Sequence, residues 1–587
     1  MSEQILDGLD EHQREVALAV RGPVCVLAGA GTGKTRVITH RIAYGVDTGA
    51  YSPGRVMAVT FTAKAAGEMR GRLRALGVEG VSARTFHAAA LAQLNYFWPV
   101  VAGSPAPRIV DNKVRLLAQA ADTIGLSLDT PTLRDVASSI ERRKVAMQSV
   151  ERFAVERPGG VGSLDALAVR DLHRAYERVK DERHQLDFED VLLACAGMIE
   201  AEPRVAHAVR EQYRHFTVDE YQDVSPLQDR LLQLWLGERH DLCVVGDVSQ
   251  TIYSFAGADA GYLLGFERRH PDARVFRLER NYRSDPSVLA AANALMRGRP
   301  GALRLQSHRD GEATQVTLTR YDDDRHEAAG IAAAVRAQLD AGVDARRIVV
   351  LYRAHAQSAE VLSALADAGV PTTVLGGKRF FDLPEVRQAI MALRAASVAP
   401  LESGFRDSVR DVLRSLGLTD DPPPAGGALR DAWESRAALL ALAEEAPPDT
   451  TLRAFTDRLL ARARDQHEPT LATVTLATLH AAKGLEWDHV HLIGLSEGLL
   501  PISYAQTFEQ IDEERRLAYV GITRAARTLA LSWAQSSARS PRQRSRFLQE
   551  IGNRILDERG ARATVARGSA RGSSPSGSSP ATRTGGR

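Results

Sequence analysis

Residues 24–35 read VCVLAGAGTGKT, and the helical stretch RVITHRIAYG follows them. The apolar run VCVLA predicts a strand, so the segment has the order strand, glycine-rich loop, helix that is typical of a phosphate-binding loop. Glycines let successive backbone N–H groups point at phosphates, and the helix N-terminus adds its positive dipole end. Lys34 would reach the β- and γ-phosphates and Thr35 would hold magnesium. Ala28 stands where the usual first glycine stands, and the alternative is a glycine-rich connector that binds no nucleotide.

A second segment, FTVDEYQD at 216–223, supplies carboxylates at the end of another predicted strand. Asp219 would reach magnesium directly or through water, and Glu220 would orient and deprotonate the attacking water. Alone, such a pair is more typical of surface charge. Together with the phosphate loop it indicates a nucleotide-hydrolysing site.

Predicted strands alternate with helical stretches along the chain, which favours an α/β fold with parallel sheets wrapped by helices. The strands fall into two groups on either side of Asn281, so we expect two α/β domains. Segments 88–185 and 389–470 look mainly helical and interrupt these domains, and the second contains the breaker DDPPPAGG. After Glu558 the chain has six arginines and no acidic residue, which predicts a disordered basic tail. The further predicted strands are RVMAVT, FTV, LCVVG, RIVVLY, VHLIG and TLALSW.

The composition bounds the class of protein. With 587 residues, 44% hydrophobic and 25% charged, the chain is expected to be a soluble protein of several domains. No run of eighteen apolar residues and no secretory signal is found in the sequence, so we expect a cytoplasmic protein with no membrane partner. Cys25, Cys195 and Cys243 lack the paired spacing of zinc or disulfide frameworks. The net charge of +2 gives no support to a nucleic-acid partner, which must therefore be argued from local sites.

Short segments along almost the whole chain resemble, in the same order, the motifs of the UvrD/Rep/PcrA-like helicases of superfamily 1. This resemblance implies two RecA-like parallel-sheet motor domains with mainly helical insertions, and an ATP–magnesium cleft between them. Besides the two sites above, it is carried by LDEHQREV, VTFTAKAAGEMRGR at 59–72, ARTFHA, VVGDVSQTIYSFAGAD at 244–259, LERNYRS, VLYRAHAQS, GGKRFFDLPEV, VTLATLHAAKGLEWDHV at 474–490 and EERRLAYVGITRA.

By resemblance, Gln13 reads adenine, Tyr282 stacks on it, and Gln250 senses the γ-phosphate. Arg283 and Arg524 lie far from the phosphate loop in sequence, so they can act as arginine fingers from a second domain. These arginines would attract the γ-phosphate of ATP, which ADP lacks. The cleft would therefore close when ATP binds and reopen after hydrolysis. The predicted catalytic residues are Lys34, Glu220, Gln250, Arg283 and Arg524. The predicted metal ligands are Thr35 and Asp219. The predicted nucleotide-binding residues are Gln13, Ala28, Gly29, Ala30, Gly31, Thr32, Gly33, Lys34, Thr35, Arg36, Tyr282, Arg283, Glu486 and Arg524.

The surface that would contact DNA is predicted from aromatic residues beside these motifs. Stacking on an aromatic ring tolerates any base, which suits a motor that must step past every base. Core burial is the alternative for Tyr253 and for Trp487. Three residues depart from the family pattern: Ala256 replaces an arginine, Ala63 replaces an asparagine, and His355 stands where asparagine is common. The predicted DNA-binding residues are Phe61, Thr85, His87, Tyr253, Phe255, Arg353 and His480. By resemblance, Thr478, His480, Lys483, Gly484 and Glu486 belong to a motif that couples DNA to nucleotide.

The resulting hypothesis is an ATP-dependent DNA helicase and single-strand translocase, with 3′→5′ polarity implied by resemblance alone. Its partners would be single-stranded DNA, duplex junctions and proteins of repair or replication, in the nucleoid-associated cytoplasm. The alternatives are a translocase that strips proteins with weak unwinding, the motor of a helicase–nuclease complex, and an ATP-switched scaffold that loads partners. The first motor domain is predicted to comprise residues 1–87 and 186–281, and the second to comprise residues 282–388 and 471–557. The predicted insertions are residues 88–185 and 389–470, and the predicted tail is residues 558–587.

Overall fold

A computed structural model describes most of the chain. It covers residues 2–560 apart from 163, 310–315, 355–356, 376–380, 382, 398–403, 421–427, 445, 448, 466–472, 538–540 and 553–555. His355 and the tail beyond Gly560 lie outside the described residues.

Seventeen strands and 23 helices form the described part of the chain. The strands are β1 Val24–Ala28, β2 Val56–Thr60, β3 Ser82–Thr85, β4 Arg108–Ile109, β5 Gln185–Leu186, β6 His215–Val218, β7 Leu242–Gly246, β8 Arg274–Leu278, β9 Arg280–Asn281, β10 Gln306–Ser307, β11 Val316–Tyr321, β12 Ile348–Tyr352, β13 Thr372–Val374, β14 Val474–Thr478, β15 Trp487–Leu492, β16 Ala525–Ala534 and β17 Leu556–Gly560. The helices are α1 Ser2–Leu6, α2 Glu11–Leu18, α3 Lys34–Asp47, α4 Ala63–Ala75, α5 Phe86–Ala102, α6 Lys113–Thr123, α7 Thr130–Val145, α8 Val150–Glu156, α9 Ala166–Glu182, α10 Phe188–Ala201, α11 Pro203–Gln212, α12 Pro226–Leu236, α13 Gly261–Leu264, α14 Phe266–Arg269, α15 Pro286–Leu295, α16 Asp324–Asp340, α17 Ser358–Asp367, α18 Pro384–Ala396, α19 Phe405–Ser415, α20 Ala428–Glu444, α21 Leu452–Asp465, α22 Phe508–Ile522 and α23 Arg546–Ile551.

The first unit is a six-stranded parallel sheet in the order β3-β2-β6-β7-β1-β8. Strand β7 is buried throughout, as expected for a central strand covered by helices on both faces. The phosphate loop follows β1, and Asp219 and Asp247 follow β6 and β7. All three segments therefore meet at the carboxyl edge of one sheet, where open α/β sheets bind ligands.

The second unit is a seven-stranded parallel sheet in the order β13-β14-β12-β15-β16-β11-β17. Helix α15, which begins three residues after Arg283, contributes to the core of this unit. The predicted α/β class with two parallel sheets is confirmed, and every strand predicted above lies in one of them.

The insertions have cores of their own, but their boundaries differ from the predicted ones. The first core is formed by α6, α7, α8 and α9, whereas the beginning of α5 packs in the core of the first unit, so this insertion starts later than residue 88. The second core includes Val386 on α18, so that insertion starts before residue 389. Helical spacing predicts a helix well, but it does not show which core receives the apolar face.

The predicted start of the tail is also corrected. Leu556–Gly560 pairs with β11 in parallel, which places Glu558 opposite Leu318 in the sheet. The sheet therefore extends into the segment predicted as tail, because backbone pairing needs no apolar side chains. None of the helices among the described residues is long and apolar enough to cross a membrane.

Candidate nucleotide cleft and nucleic-acid surface

The glycine-rich loop between β1 and α3 forms one wall of a cleft of about 780 Å³ between the two units. Gly31 and Gly33 have φ of 69° and 83°, a left-handed backbone that favours glycine and turns the loop around the helix N-terminus. The Lys34 Nζ lies 3.3 Å from the Ala28 carbonyl oxygen and 3.5 Å from that of Gly29. These long contacts leave the ammonium group available to an anion in the cleft.

The two predicted carboxylates lie beside the loop. Asp219 is buried, and its Oδ1 accepts a 3.0 Å hydrogen bond from the Glu220 backbone. Glu220 has φ of 54°, a strained conformation for a non-glycine residue that is common at functional sites. Burial and the charge of Glu220 raise the pKa of Asp219. Burial also acts to raise the pKa of Glu220, but the charges of Lys34 and Lys483 outweigh it and lower that pKa.

This environment fits a divalent cation at Asp219. A buried carboxylate held against a like charge gains a favourable interaction from a cation, and a hydrogen bond from Thr35 already favours its charged form. Among the described residues no group of three or more His, Cys, Asp or Glu side chains is arranged to hold a metal. Magnesium does not need one, because it usually takes one or two carboxylates and completes its shell with water and phosphate.

A chain of hydrogen bonds connects Glu220 with the second unit. Gln222 donates to Glu220 Oε2 at 2.5 Å and accepts from the backbone N–H of Asp247 at 3.0 Å. Gln250 donates to Asp247 Oδ2 at 2.8 Å, and the Arg524 guanidinium donates to Gln250 Oε1 at 3.2 Å. Gln222 and Asp247 were not predicted as site residues, because nothing in the sequence shows that they bridge neighbouring strand ends.

Both predicted arginine fingers border the cleft. Arg524 is buried and also donates to the Val520 and Leu485 carbonyl oxygens, both at 2.9 Å. Burial, together with the nearby charge of Arg283, lowers the pKa of Arg524 to about 9. Arg283 donates to Glu486 Oε2 at 2.6 Å, so the predicted nucleotide residue Glu486 holds this arginine at the mouth of the cleft.

The residues predicted to bind adenine lie beside the same loop. The Gln13 amide donates to the Thr32 carbonyl oxygen at 3.0 Å, and Tyr282 lines the cleft with its hydroxyl bonded to Asp10. Arg36 is exposed at the start of α3.

Asn281 is a residue that the sequence reasoning missed. Its buried amide donates to the Ala30 carbonyl oxygen at 2.6 Å and accepts from the backbone N–H of Arg283 at 2.8 Å. This side chain therefore fixes Arg283 relative to the phosphate loop. Its only sequence signal was its position in LERNYRS.

Four side chains form a cluster, named here the aromatic surface, that extends across both units. The rings of Phe61 and Tyr253 are stacked with centroids 5.3 Å apart, and Phe255 meets Tyr253 edge-on at 6.1 Å. His480, from the second unit, lies 5.7 Å from Phe255. Phe61 is 42% exposed and Phe255 is 60% exposed, whereas Tyr253 is partly buried between them.

The segment beyond β3 adds another exposed ring. Thr85 caps α5 by accepting from the backbone N–H of Ala88 at 3.2 Å. His87 stacks on Phe188 with centroids 3.8 Å apart, and burial lowers the pKa of His87 to about 4, so it is uncharged at neutral pH. Phe188 is 54% exposed and was not predicted, because in the sequence it is one apolar residue at the start of a helix.

Arg353 lies just after the end of β12 and forms an ion pair within the second unit. Its guanidinium is engaged by the buried Glu514, with contacts of 2.7, 3.0 and 3.0 Å, and is largely covered. Arg353 lies near His480 and lowers the pKa of that residue, after the larger effect of burial. The structure thus gives Arg353 a bidentate partner in Glu514, and its contact with DNA stays a prediction. Trp487 packs in the second core, in agreement with the alternative given for it.

Polar contacts bind the two units together just beside the aromatic surface. Lys483 pairs with the buried Asp223 and donates to the Gln250 carbonyl oxygen at 2.6 Å. On α22, Arg516 donates to the Thr251 carbonyl oxygen at 2.7 Å. The predicted residue Thr478 is buried at the end of β14, two residues before His480.

Comparison with known proteins agrees with this architecture. Residues 9–271 match the UvrD/REP helicase N-terminal domain, and residues 276–398 and 435–536 match the UvrD-like helicase C-terminal domain. The ATP-dependent DNA helicase UvrD2 of Mycobacterium tuberculosis is 46% identical over 94% of this chain and 82% of its own length. UvrD1 of the same organism is 30% identical over 95% and 87%, and DNA helicase II of Salmonella typhimurium is 29% identical over 96% and 90%. The chain therefore belongs to the UvrD-like family of DNA helicases.

Proposed function

We propose that this chain is an ATP- and Mg²⁺-dependent motor that moves 3′→5′ along single-stranded DNA and separates duplexes at junctions. Polarity is taken from the family resemblance. Repair of damaged DNA or clearing of stalled replication in the nucleoid-associated cytoplasm is the proposed setting, and repair or replication proteins are the proposed partners.

One observation carries the proposal, namely that a single stretch of nine residues, 247–255, borders both the nucleotide cleft and the aromatic surface. At its start, Asp247 and Gln250 form the chain of hydrogen bonds to Arg524. At its end, Tyr253 and Phe255 belong to the aromatic surface. A change in contacts at the nucleotide can therefore move the rings that would grip a base.

Within the cleft, the residues of this chain divide the chemistry. Bound ATP with magnesium would supply the phosphoanhydride bond whose cleavage drives movement. Glu220 is kept ionised by Lys34 and Lys483 and would accept a proton from the attacking water. Arg283 and Arg524 would stabilise the charge that develops on the leaving phosphate.

Arg283 and Arg524 would contact the γ-phosphate of ATP and lose that contact after hydrolysis, and this difference would couple hydrolysis to movement. Arg524 bridges the units through Gln250, and Arg283 is bonded both to Glu486 and to the Thr523 carbonyl oxygen of the second unit. Loss of the γ-phosphate would remove an anion from between these two cations and weaken cleft closure.

A second candidate is a translocase that strips proteins from single strands and unwinds duplex weakly. It is favoured by Ala256, an exposed small residue beside Phe255 where the family pattern has an arginine. A weaker grip on the strand would limit the force available for strand separation.

The experiment is a comparison, on one preparation, of single-strand translocation and unwinding of duplexes with 3′ or 5′ tails, together with ATP turnover. Turnover stimulated by single strands with unwinding from 3′ tails alone supports the proposal. Stimulated turnover and translocation without unwinding favours the second candidate. Turnover indifferent to DNA would refute a motor and favour an ATP-switched scaffold.

A further inference from the structure

A second cavity lies apart from the nucleotide cleft, between the first insertion and the turn that carries Phe255. Its volume is about 380 Å³. The turn rests directly on α7, since a side chain on Gly257 would overlap Val145 at the end of that helix. The cavity is named here the guanidinium pocket, and it is lined by Asp135, Ser138, Arg142, Arg157, residues 160–162 and Phe255.

The two arginines of this pocket have charges that no acid neutralises by direct pairing among the described residues. The Arg142 Nε is buried and has no hydrogen-bond partner. Arg157 lies over the Phe153 ring at 5.2 Å, which positions its guanidinium without neutralising it. Burial and the charge of Arg157 lower the pKa of Arg142, so the two cations are held close to each other.

An anion bound in the pocket would reduce the repulsion between Arg142 and Arg157. Arginine stays charged at neutral pH even with a lowered pKa, so the pocket holds two positive charges. Asp135 is the carboxylate in the pocket, and it opposes the mutual repulsion only in part. Phe255, an exposed ring, forms another wall of the same space. A ligand that suits these walls has a planar ring and an adjacent anionic group.

We propose that the guanidinium pocket binds one nucleotide of the single strand, with its base on Phe255 and its phosphate on Arg142 and Arg157. The inference rests on the proposed function, since it names the contact through which the first insertion holds the strand. Guanidinium groups suit phosphate because they offer several N–H donors in a planar fork. The insertion thus supplies charge to a base site whose ring belongs to the first unit.

The first test is the double variant Arg142→Ala/Arg157→Ala, with binding of an oligothymidine measured by fluorescence anisotropy at several salt concentrations. The expected dissociation constant rises by about 10-fold or more, as for lost charge-assisted hydrogen bonds. The slope of log affinity against log salt should shrink by about 0.7 for one lost phosphate contact. ATP turnover without DNA should stay unchanged.

A matched control removes the same charge elsewhere on the insertion. Arg115 and Arg134 are exposed and lie outside the pocket, so Arg115→Ala/Arg134→Ala should bind nearly as the wild type does. Asp135→Asn should have the opposite effect and tighten binding, because it removes the one negative charge of the pocket. Equal losses in the pocket and control variants would overturn the proposal by showing a diffuse charge effect.

A second measurement localises the contact. A hairpin with a short 3′ tail fixes the register, and each tail phosphate is replaced in turn by a neutral methylphosphonate. The wild type should lose affinity at one position to which the pocket variant is indifferent, and an identical position profile for both would overturn the proposal. Should thermal unfolding show that the double variant is unfolded, Arg157→Gln takes its place, because Arg157 is exposed.

Failure of the proposed function would give a different result from failure of the pocket assignment. If the proposed function fails, the ATP turnover of the wild type does not respond to single-stranded DNA at all. If turnover responds and Phe255→Ala weakens binding while the pocket variant does not, only the pocket assignment fails.

Discussion

Replacing Phe255 by alanine separates a DNA-stacking ring from a packing ring, because the two roles demand opposite results. The ring is 60% exposed, so of the roughly 200 Å² that a phenylalanine can bury, about 80 Å² is covered. At ~25 cal/mol per Å² the truncation should cost at most ~2 kcal/mol of folding free energy. A core phenylalanine would cost ~3 to 5 kcal/mol.

The second expected effect of this truncation is on DNA binding. Stacking contributes roughly 1 to 3 kcal/mol per base, which corresponds to roughly 5- to 150-fold in the dissociation constant. Phe255→Ala should therefore weaken oligothymidine binding by that factor and uncouple ATP turnover from translocation, whereas Phe255→Trp should preserve movement. Binding is measured by anisotropy, and stability by thermal unfolding of the same samples.

Tyr96→Ala is the matched control for losing an exposed aromatic ring. Tyr96 is 74% exposed on α5, outside the aromatic surface, so its loss should leave both binding and coupling unchanged. The stacking assignment would be refuted by a Phe255→Ala protein that melts early yet, when kept cold, binds and translocates as the wild type does.

Three further predictions concern the cleft and the tail. Lys34→Ala should abolish ATP turnover without unfolding the protein, since the loop loses its cation but keeps its backbone amides; wild-type turnover would contradict the phosphate-loop assignment. Glu220→Gln should slow turnover by ~10²- to 10⁴-fold with nucleotide binding kept, whereas Asp219→Asn should also weaken the magnesium dependence; identical magnesium titrations would disprove the division of roles. Removing residues 561–587, which follow the last strand residue Gly560, should leave DNA-stimulated ATP turnover intact. It should reduce only the DNA affinity that the five arginines of that segment contribute at low salt. Loss of turnover would show that the motor needs the segment.

The parts of the molecule that the sequence predicts well depend on local pattern. A strand followed by a glycine-rich loop and a lysine at a helix start has few alternative structures, so the loop around Lys34 follows from a dozen residues. The two acidic residues follow in the same way, because parallel strands place their carboxyl ends at one edge of a sheet. The α/β class follows from repetition of the pattern.

The parts that the sequence did not predict depend on contacts between distant segments. Arg353 is a cation in a helicase-like motif, but its ion-pair partner is Glu514, which lies 161 residues away. Exposure of Phe188 and burial of Trp487 depend on which neighbour covers each ring. Insertion boundaries have the same origin, since a helix such as α18 belongs to the unit that receives its apolar face.

Ala256 shows how such distant contacts change the meaning of a motif. Judged by the motif alone, replacement of an arginine by alanine predicts a weaker grip on the strand. In three dimensions the requirement is for positive charge near a phosphate whose base lies on Phe255, and α7 brings Arg142 into the cavity that this ring lines. Because an electrostatic requirement applies to a position in space, the charge can come from a different domain, and Arg142 and Arg157 would offset part of the grip that the chain loses at Ala256.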